Sequence, residues 1–125
     1  MIWPVTVKPK CYVFKCLGCG EIAQAERSDT LTCSNACRVR AHRMGTVKRK
    51  MRDAISAGIA APGDRNPRQA AAFMVRADAV MDLCPDLLPQ IDAGAASFDD
   101  LQPEANRRYL DRIRQMFADL REARA

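Results

Sequence analysis

The alternation of apolar and polar residues along the chain changes period several times, and each change marks an element. In the segment KCYVFKC, Tyr12 and Phe14 alternate with Cys11, Val13 and Lys15, the period of two that predicts a short strand. Residues 21–32, EIAQAERSDTLT, read as a hairpin turning at Arg27, Ser28 and Asp29, with Ile22 and Leu31 facing inward. From Ser34 the pattern becomes helical to about Met44. Gly45 and Thr46 then interrupt it as a C-terminal cap and a new N-cap, and a second helical piece runs from Val47 to Ala57 with Val47, Met51 and Ile55 on one stripe. A single kinked helix is the alternative there. Farther on, Phe73, Ala77, Val80, Met81 and Cys84 recur at helical spacing over residues 70–84, and Pro85 ends that run. Short helical turns are expected between Pro85 and Gly94. A last helix begins near Pro103, and its stripe of Leu110, Ile113, Phe117 and Leu120 reads as a core face against the preceding helix.

These elements predict an α+β fold, mostly α, in which a β-hairpin plus helix is followed by a helical C-terminal half. Residues 1–10 hold Pro4 and Pro9 and read as an extended lead-in. The stretch GIAAPGDRNPRQ holds two prolines and two glycines, which marks 58–69 as a linker between a 1–57 domain and a 70–125 helical domain. The 70–125 half is also where a protein partner or a homodimer is expected to bind.

Composition narrows the class. At 125 residues with 48% hydrophobic and 6% aromatic content, the chain supports a small, aliphatic core. No apolar run approaches the roughly 20 residues that cross a bilayer, and the first ten residues lack the apolar region of a signal peptide, so a cytoplasmic protein without membrane association is expected. The net charge of +5 is unevenly placed. Residues 1–65 carry 12 Lys/Arg against 5 Asp/Glu, a net of +7, and residues 66–125 carry 8 against 10, a net of −2. That asymmetry points the first half toward a polyanion.

The chemistry lies in two cysteine pairs, Cys16-x-x-Cys19 and Cys33-x-x-x-Cys37, separated by thirteen residues. A structural zinc site is closed by four soft ligands in a tetrahedron, and a C-x-x-C knuckle converges two sulfurs on one ion. Gly18 and Gly20 supply the permissive backbone of that knuckle. Ser34 stands where an N-cap belongs, which puts Cys37 in the first turn of a helix, at the positive end of its dipole. One structural Zn2+ held by Cys16, Cys19, Cys33 and Cys37 is the reading; a pair of disulfides or unrelated buried thiols is the alternative. Cys11 and His42 are the substitute ligands. Cys11 lacks the knuckle spacing, and His42 falls about 140° round the helix from Cys37, whereas Ala41 and Met44 fall on the side of Cys37. Cys84 reads as a small buried hydrophobe.

The order of knuckle, hairpin and cysteine-bearing helix resembles the treble-clef zinc finger, and Cys33-Ser34-x-x-Cys37 resembles the C-S-x-x-C of small bacterial YacG-type zinc proteins. The longer CSNACRVRAHR is similar to a C-S-x-x-C-R-x-R-A-x-R segment of short bacterial and mobile-element proteins. The resemblance covers about residues 10–52. It implies a metal-stabilised fold and, from the YacG-type proteins, binding to and inhibition of DNA gyrase.

From Arg38 to Arg52 there are seven Lys/Arg and no acidic residue. A solvated helix face normally mixes signs and gains from pairs of opposite charge four apart, and this segment has none. Arg38, Arg40, His42, Arg43, Lys48, Arg49, Lys50 and Arg52 are therefore the candidate nucleic-acid-binding residues, with Arg38, Arg40 and Arg43 nearest the bases, Lys48, Arg49, Lys50 and Arg52 on phosphates, and His42 part of the same exposed surface. DNA is the expected partner and RNA the other polyanion, in a small regulatory protein of transcription. The alternative function is a protein-interaction factor that modulates DNA gyrase or RNA polymerase. An enzyme is not expected, because one histidine and no carboxylate cluster beside the cysteines leave no general base.

Overall fold

The computed structural model of the chain describes residues 11–59 and 67–124. The lead-in expected over residues 1–10 and the linker residues 60–66 lie outside the described residues. The elements run β1 (Tyr12–Lys15), β2 (Ile22–Ala25), α1 (Asn35–Arg43), α2 (Thr46–Ser56), α3 (Pro67–Leu83), α4 (Leu88–Asp92) and α5 (Gln102–Arg124), with a single 3-10 turn at Pro85–Leu87 before α4. The fold is α+β and mostly α, a two-stranded antiparallel hairpin followed by helices.

The hairpin differs from the expected one. β1 pairs with β2 in the register Tyr12↔Ala25, Val13↔Gln24, Phe14↔Ala23 and Lys15↔Ile22, so the cysteine knuckle itself is the hairpin turn. Residues 27–29 turn the chain, but the segment after them forms no strand. Leu31 is buried as expected, because its carbonyl accepts from the N–H of Leu17 at 3.0 Å and ties this segment to the knuckle instead.

Alternation along β1 puts Val13 and Phe14 on opposite faces, and both faces are covered. Val13 packs with Ala79, Val80, Leu83, Cys84, Leu101 and Ala105. Phe14 packs with Cys16, Leu31, Cys37, Ala71, Ala72 and Val75. Each fully buried Val, Leu or Phe side chain contributes about 1.5–3 kcal/mol, and each alanine less. α3 lies between these clusters and packs on β1, α2 and α5. Its buried alanines at 70, 71, 72, 77 and 79 let the neighbouring elements approach closely on several sides. Cys84 is buried as expected.

Both clusters draw residues from the two halves, so the packing crosses the boundary that the sequence pattern drew between a metal-binding domain and a helical domain. Pro67, Arg68 and Gln69, expected in the linker, form the first turn of α3. Pro67 at the start of a helix loses no intrahelical hydrogen bond.

The outer edge of β1 is closed by a side chain. Gln102, fully buried, accepts from the Val13 N–H at 2.9 Å and donates to the Val13 carbonyl at 3.2 Å, standing in for a third strand. Asn106 extends this: its amide donates to the carbonyls of Cys11 (3.0 Å) and Gln102 (2.8 Å), and its oxygen accepts from Gln24 (2.8 Å). Arg76, also buried, donates to Asp99 at 3.2 Å and to the Ser28 carbonyl, and lies over the rings of Tyr12 and Phe73. These bonds lock α3 and α5 onto the hairpin.

The stripe on α5 is not the core face that its spacing predicts. Only the start of α5 is buried, through Gln102, Ala105 and Asn106, while Leu110, Met116, Phe117 and Leu120 are 42–59% exposed. They do not pack on α3 as the pattern predicted. No described helix is long and apolar enough to cross a membrane.

Candidate metal centre

Two structural units bring the cysteines together. The first is the knuckle between β1 and β2. Cys16 N–H donates to the Glu21 carbonyl at 2.9 Å, and Gly20 N–H closes the turn on the Cys16 carbonyl at 2.9 Å. Gly20 has φ +76°, a left-handed conformation that suits glycine. Gly18 serves a different need. A Cβ there would lie 2.5 Å from Cys37 Cβ and 2.6 Å from Cys37 O, so the knuckle touches α1 at a point where no side chain fits. The second unit is the start of α1, where Ser34 is the N-cap and its Oγ accepts from the Cys37 N–H at 3.2 Å.

As a result, no two of the Sγ atoms of Cys16, Cys19, Cys33 and Cys37 are more than 4.8 Å apart. Cys19 and Cys33 stand at 3.8 Å, Cys33 and Cys37 at 3.6 Å. Four sulfurs bound at about 2.3 Å to one tetrahedral ion stand about 3.8 Å apart. None of the six cysteines is bridged to another in this structure. These four residues form a zinc-finger-like cluster that fits a single metal ion. Neither substitute ligand joins it: Cys11 contacts Asn106 (3.4 Å) and Gln24, and His42 sits on the exposed side of α1.

The chain matches no protein-family model, no curated protein and no solved structure. The metal-site reading therefore rests on the sulfurs themselves and on the groups around them.

Without a cation the quartet is electrostatically uneven. Burial, the largest influence on Cys16, raises its thiol, but the backbone N–H groups of Cys19, Cys33 and Gly18 outweigh it and lower the thiol to about 7. Two of these donors are direct, from Gly18 and Cys33 at 3.3 Å each. Cys33 is pushed up to about 12 by burial and then by its hydrogen bonds to Cys37, Cys16 and Cys19. Cys19 is raised as well. Crowded sulfurs resist a second negative charge, and a divalent cation at their centre removes that resistance. Cys16 and Cys37 are buried, whereas Cys19 and Cys33 face solvent.

The cluster aims α1 outward. Of its nine residues only Cys37 and Ala41 are buried, and Arg38, Arg40, His42 and Arg43 are exposed. Met44, expected beside Cys37, is 64% exposed because it caps α1 rather than continuing it, and Gly45 (φ +68°) turns the chain into α2. On α2, Lys48, Arg49 and Arg52 are exposed, and Arg49 donates to the Met44 carbonyl at 3.1 Å. Lys50 differs from the rest: its ammonium pairs with Asp78 of α3 at 2.8 Å, an acidic partner distant in sequence. Among the described residues, Arg38, Arg40, His42, Arg43, Lys48, Arg49 and Arg52 have no ion pair. The sequence pattern could not show the Lys50 pair, the Gly18–Cys37 contact or the role of the Gly18 and Cys33 amides.

Proposed function

We propose that this chain is a zinc-stabilised nucleic-acid-binding protein, with DNA as its partner, acting in the cytoplasm as a small regulator of transcription. The ion held by Cys16, Cys19, Cys33 and Cys37 is Zn2+ in this reading, and its role is structural. Four thiolates suit zinc and leave no open coordination position for substrate, and the sole histidine lies outside the cluster, which argues for binding rather than catalysis.

The observation that carries the reading is the exposed cationic face of α1. Seven of its nine residues are exposed, its charges are all positive, and only Cys37 and Ala41 are turned into the body of the molecule. Unpaired like charges on two consecutive helices repel one another, and a polyanion relieves this. Arg38, Arg40 and Arg43 are assigned to base edges, and Lys48, Arg49 and Arg52 to phosphates.

The test is fluorescence anisotropy of the zinc-loaded full chain with random-sequence duplex DNA at low and physiological salt. About six phosphate contacts imply a loss of affinity of about a thousandfold between roughly 50 and 200 mM salt. Arg38→Glu with Arg43→Glu should abolish most of the binding. Affinity indifferent to both salt and charge reversal would refute the proposal.

A second reading draws on Val39 and Met44, which are 43% and 64% exposed and border a shallow depression with Arg40 and Arg43. An apolar rim beside arginines suits a protein surface, as in a factor that docks on gyrase or RNA polymerase. Capture of such an enzyme from nuclease-treated lysate, lost with Met44→Asp, would favour it over direct DNA binding.

A further inference from the structure

Beyond Ile113, most residues of α5 are exposed, the last hydrogen bond to the body among the described residues being from Arg112 to the Asp82 carbonyl at 3.2 Å. Leu110, Met116, Phe117 and Leu120 are 42%, 51%, 59% and 50% exposed, with Ile113 half-buried among them. Their spacing of three and four puts them on one face, and the fifteen residues to Arg124 rise about 22 Å. This ridge is bordered by arginines. On a wheel of 100° per residue, Arg114 and Arg121 run along one edge and Arg112 along the other; Arg114 lies 3.5 Å from Asp111 in an exposed pair, and Arg112 donates to the Asp82 carbonyl at 3.2 Å, so Arg121 is the edge cation with no ion pair among the described residues. Arg114, Arg121 and Arg124 line a shallow depression with Phe117 and Leu120. Of the acidic residues of the segment, Asp111 and Glu122 fall toward the back of the helix, and Asp119 falls beside Arg112, on the side of it away from the ridge.

We propose that Leu110–Arg124 is a docking face for an acidic amphipathic helix of a protein partner. The apolar ridge requires a complementary apolar stripe, and the arginine edges require carboxylates beside it, the arrangement by which flanking charges select a partner helix. A second copy of this chain does not meet that requirement. Antiparallel self-pairing sets Arg114 of one copy against Arg121 of the other, twice, and parallel pairing places the same arginines beside Tyr109 and Met116 with no opposite charge. Nucleic acid offers nothing to cover Leu110, Met116 and Leu120. This surface is independent of the metal cluster and of α1.

The test uses the metal-loaded full chain and two labelled peptides of about three heptads with leucine at the a and d positions, one flanked by glutamate and the other by lysine. Anisotropy should show the glutamate peptide bound at least about tenfold more tightly. Phe117→Ala should weaken it by about tenfold or more. Arg114→Glu with Arg121→Glu should reverse the preference toward the lysine peptide, a result that misfolding does not produce. Equal affinity for the two peptides, no binding of either, or binding indifferent to Phe117→Ala overturns the proposal. Sedimentation of the protein alone as a dimer lost on Phe117→Ala would assign the ridge to a second copy, and displacement of the peptide by duplex DNA would assign it to nucleic acid. Either result also overturns the proposal.

Discussion

Gly18→Ala is the substitution that asks most directly whether the knuckle and α1 are held together by one ion. The added methyl would stand 2.5 Å from Cys37 Cβ, 2.6 Å from its carbonyl oxygen and 2.7 Å from its Cα. Ordinary carbon contacts lie at about 3.5–4.0 Å, so the knuckle must retreat by about 1 Å. Rotation of a side chain cannot relieve this, because two of the three atoms are backbone and the third is fixed by it. The retreat draws Cys16 and Cys19 away from Cys33 and Cys37 and disturbs the Gly18 N–H that donates to Cys16 Sγ at 3.3 Å. Overpacking of this kind costs about 1–3 kcal/mol. Carried by the metal-bound state, that cost lowers metal affinity by about 5- to 150-fold. Competition between the protein and a chromophoric chelator measures it, with the Co2+ spectrum as a check on four-sulfur coordination. Gly20→Asn is the control: Gly20 has open space around it, and asparagine tolerates its positive φ, so affinity should change by no more than a few-fold. If Gly18→Ala binds metal within about twofold of the parent with an unchanged spectrum, the close approach has no bearing on the site and the reasoning fails.

Three further outcomes are expected. Gln102→Leu leaves the N–H and carbonyl of Val13 buried without partners, and at about 1–3 kcal/mol for each unpaired group it should destabilise the fold by about 2–5 kcal/mol in urea unfolding of the metal-loaded protein; a loss below about 1 kcal/mol would mean that water replaces the amide. Metal affinity should rise with pH, because a thiol must lose its proton to bind. Cys33, held up to about 12, is protonated throughout the neutral range, so its displaced proton alone contributes about a tenfold gain per pH unit in Co2+ titrations, and a pH-independent affinity would contradict the four-thiolate site. Removing single cations should separate those already engaged from those that are not: Lys48→Met should reduce the salt slope of DNA binding by about 1, whereas Lys50→Met, which loses its pair with Asp78, should change the slope less, and equal effects would refute the distinction.

The two cysteine pairs, the Ser34 cap and the approximate helix limits were legible in the amino-acid order because each depends on residues a few positions apart. A knuckle needs Cys16, Cys19 and a turn between them, and a cap needs Ser34 and the amide of Cys37. Strand pairing was not legible. The sequence pattern pairs Ile22–Ala25 forward, across Arg27–Asp29, but β2 pairs backward with β1, since the cysteine-bearing turn already reverses the chain and α3 then covers both strands' interior residues. Charge alone likewise grouped Lys50 with its neighbours, and only the approach of α3 gave it Asp78.

The sequence by itself determined where the cysteines, caps and cationic helices lie, since those properties arise from covalent spacing and nearest-neighbour hydrogen bonds. Tertiary structure alone decided which apolar stripes are covered. Val13 and Phe14 are buried on opposite faces of one strand, and the longer stripe of α5 is left in solvent. Hydrophobicity drives burial without naming a partner, so a stripe is covered only where the rest of the chain can reach it.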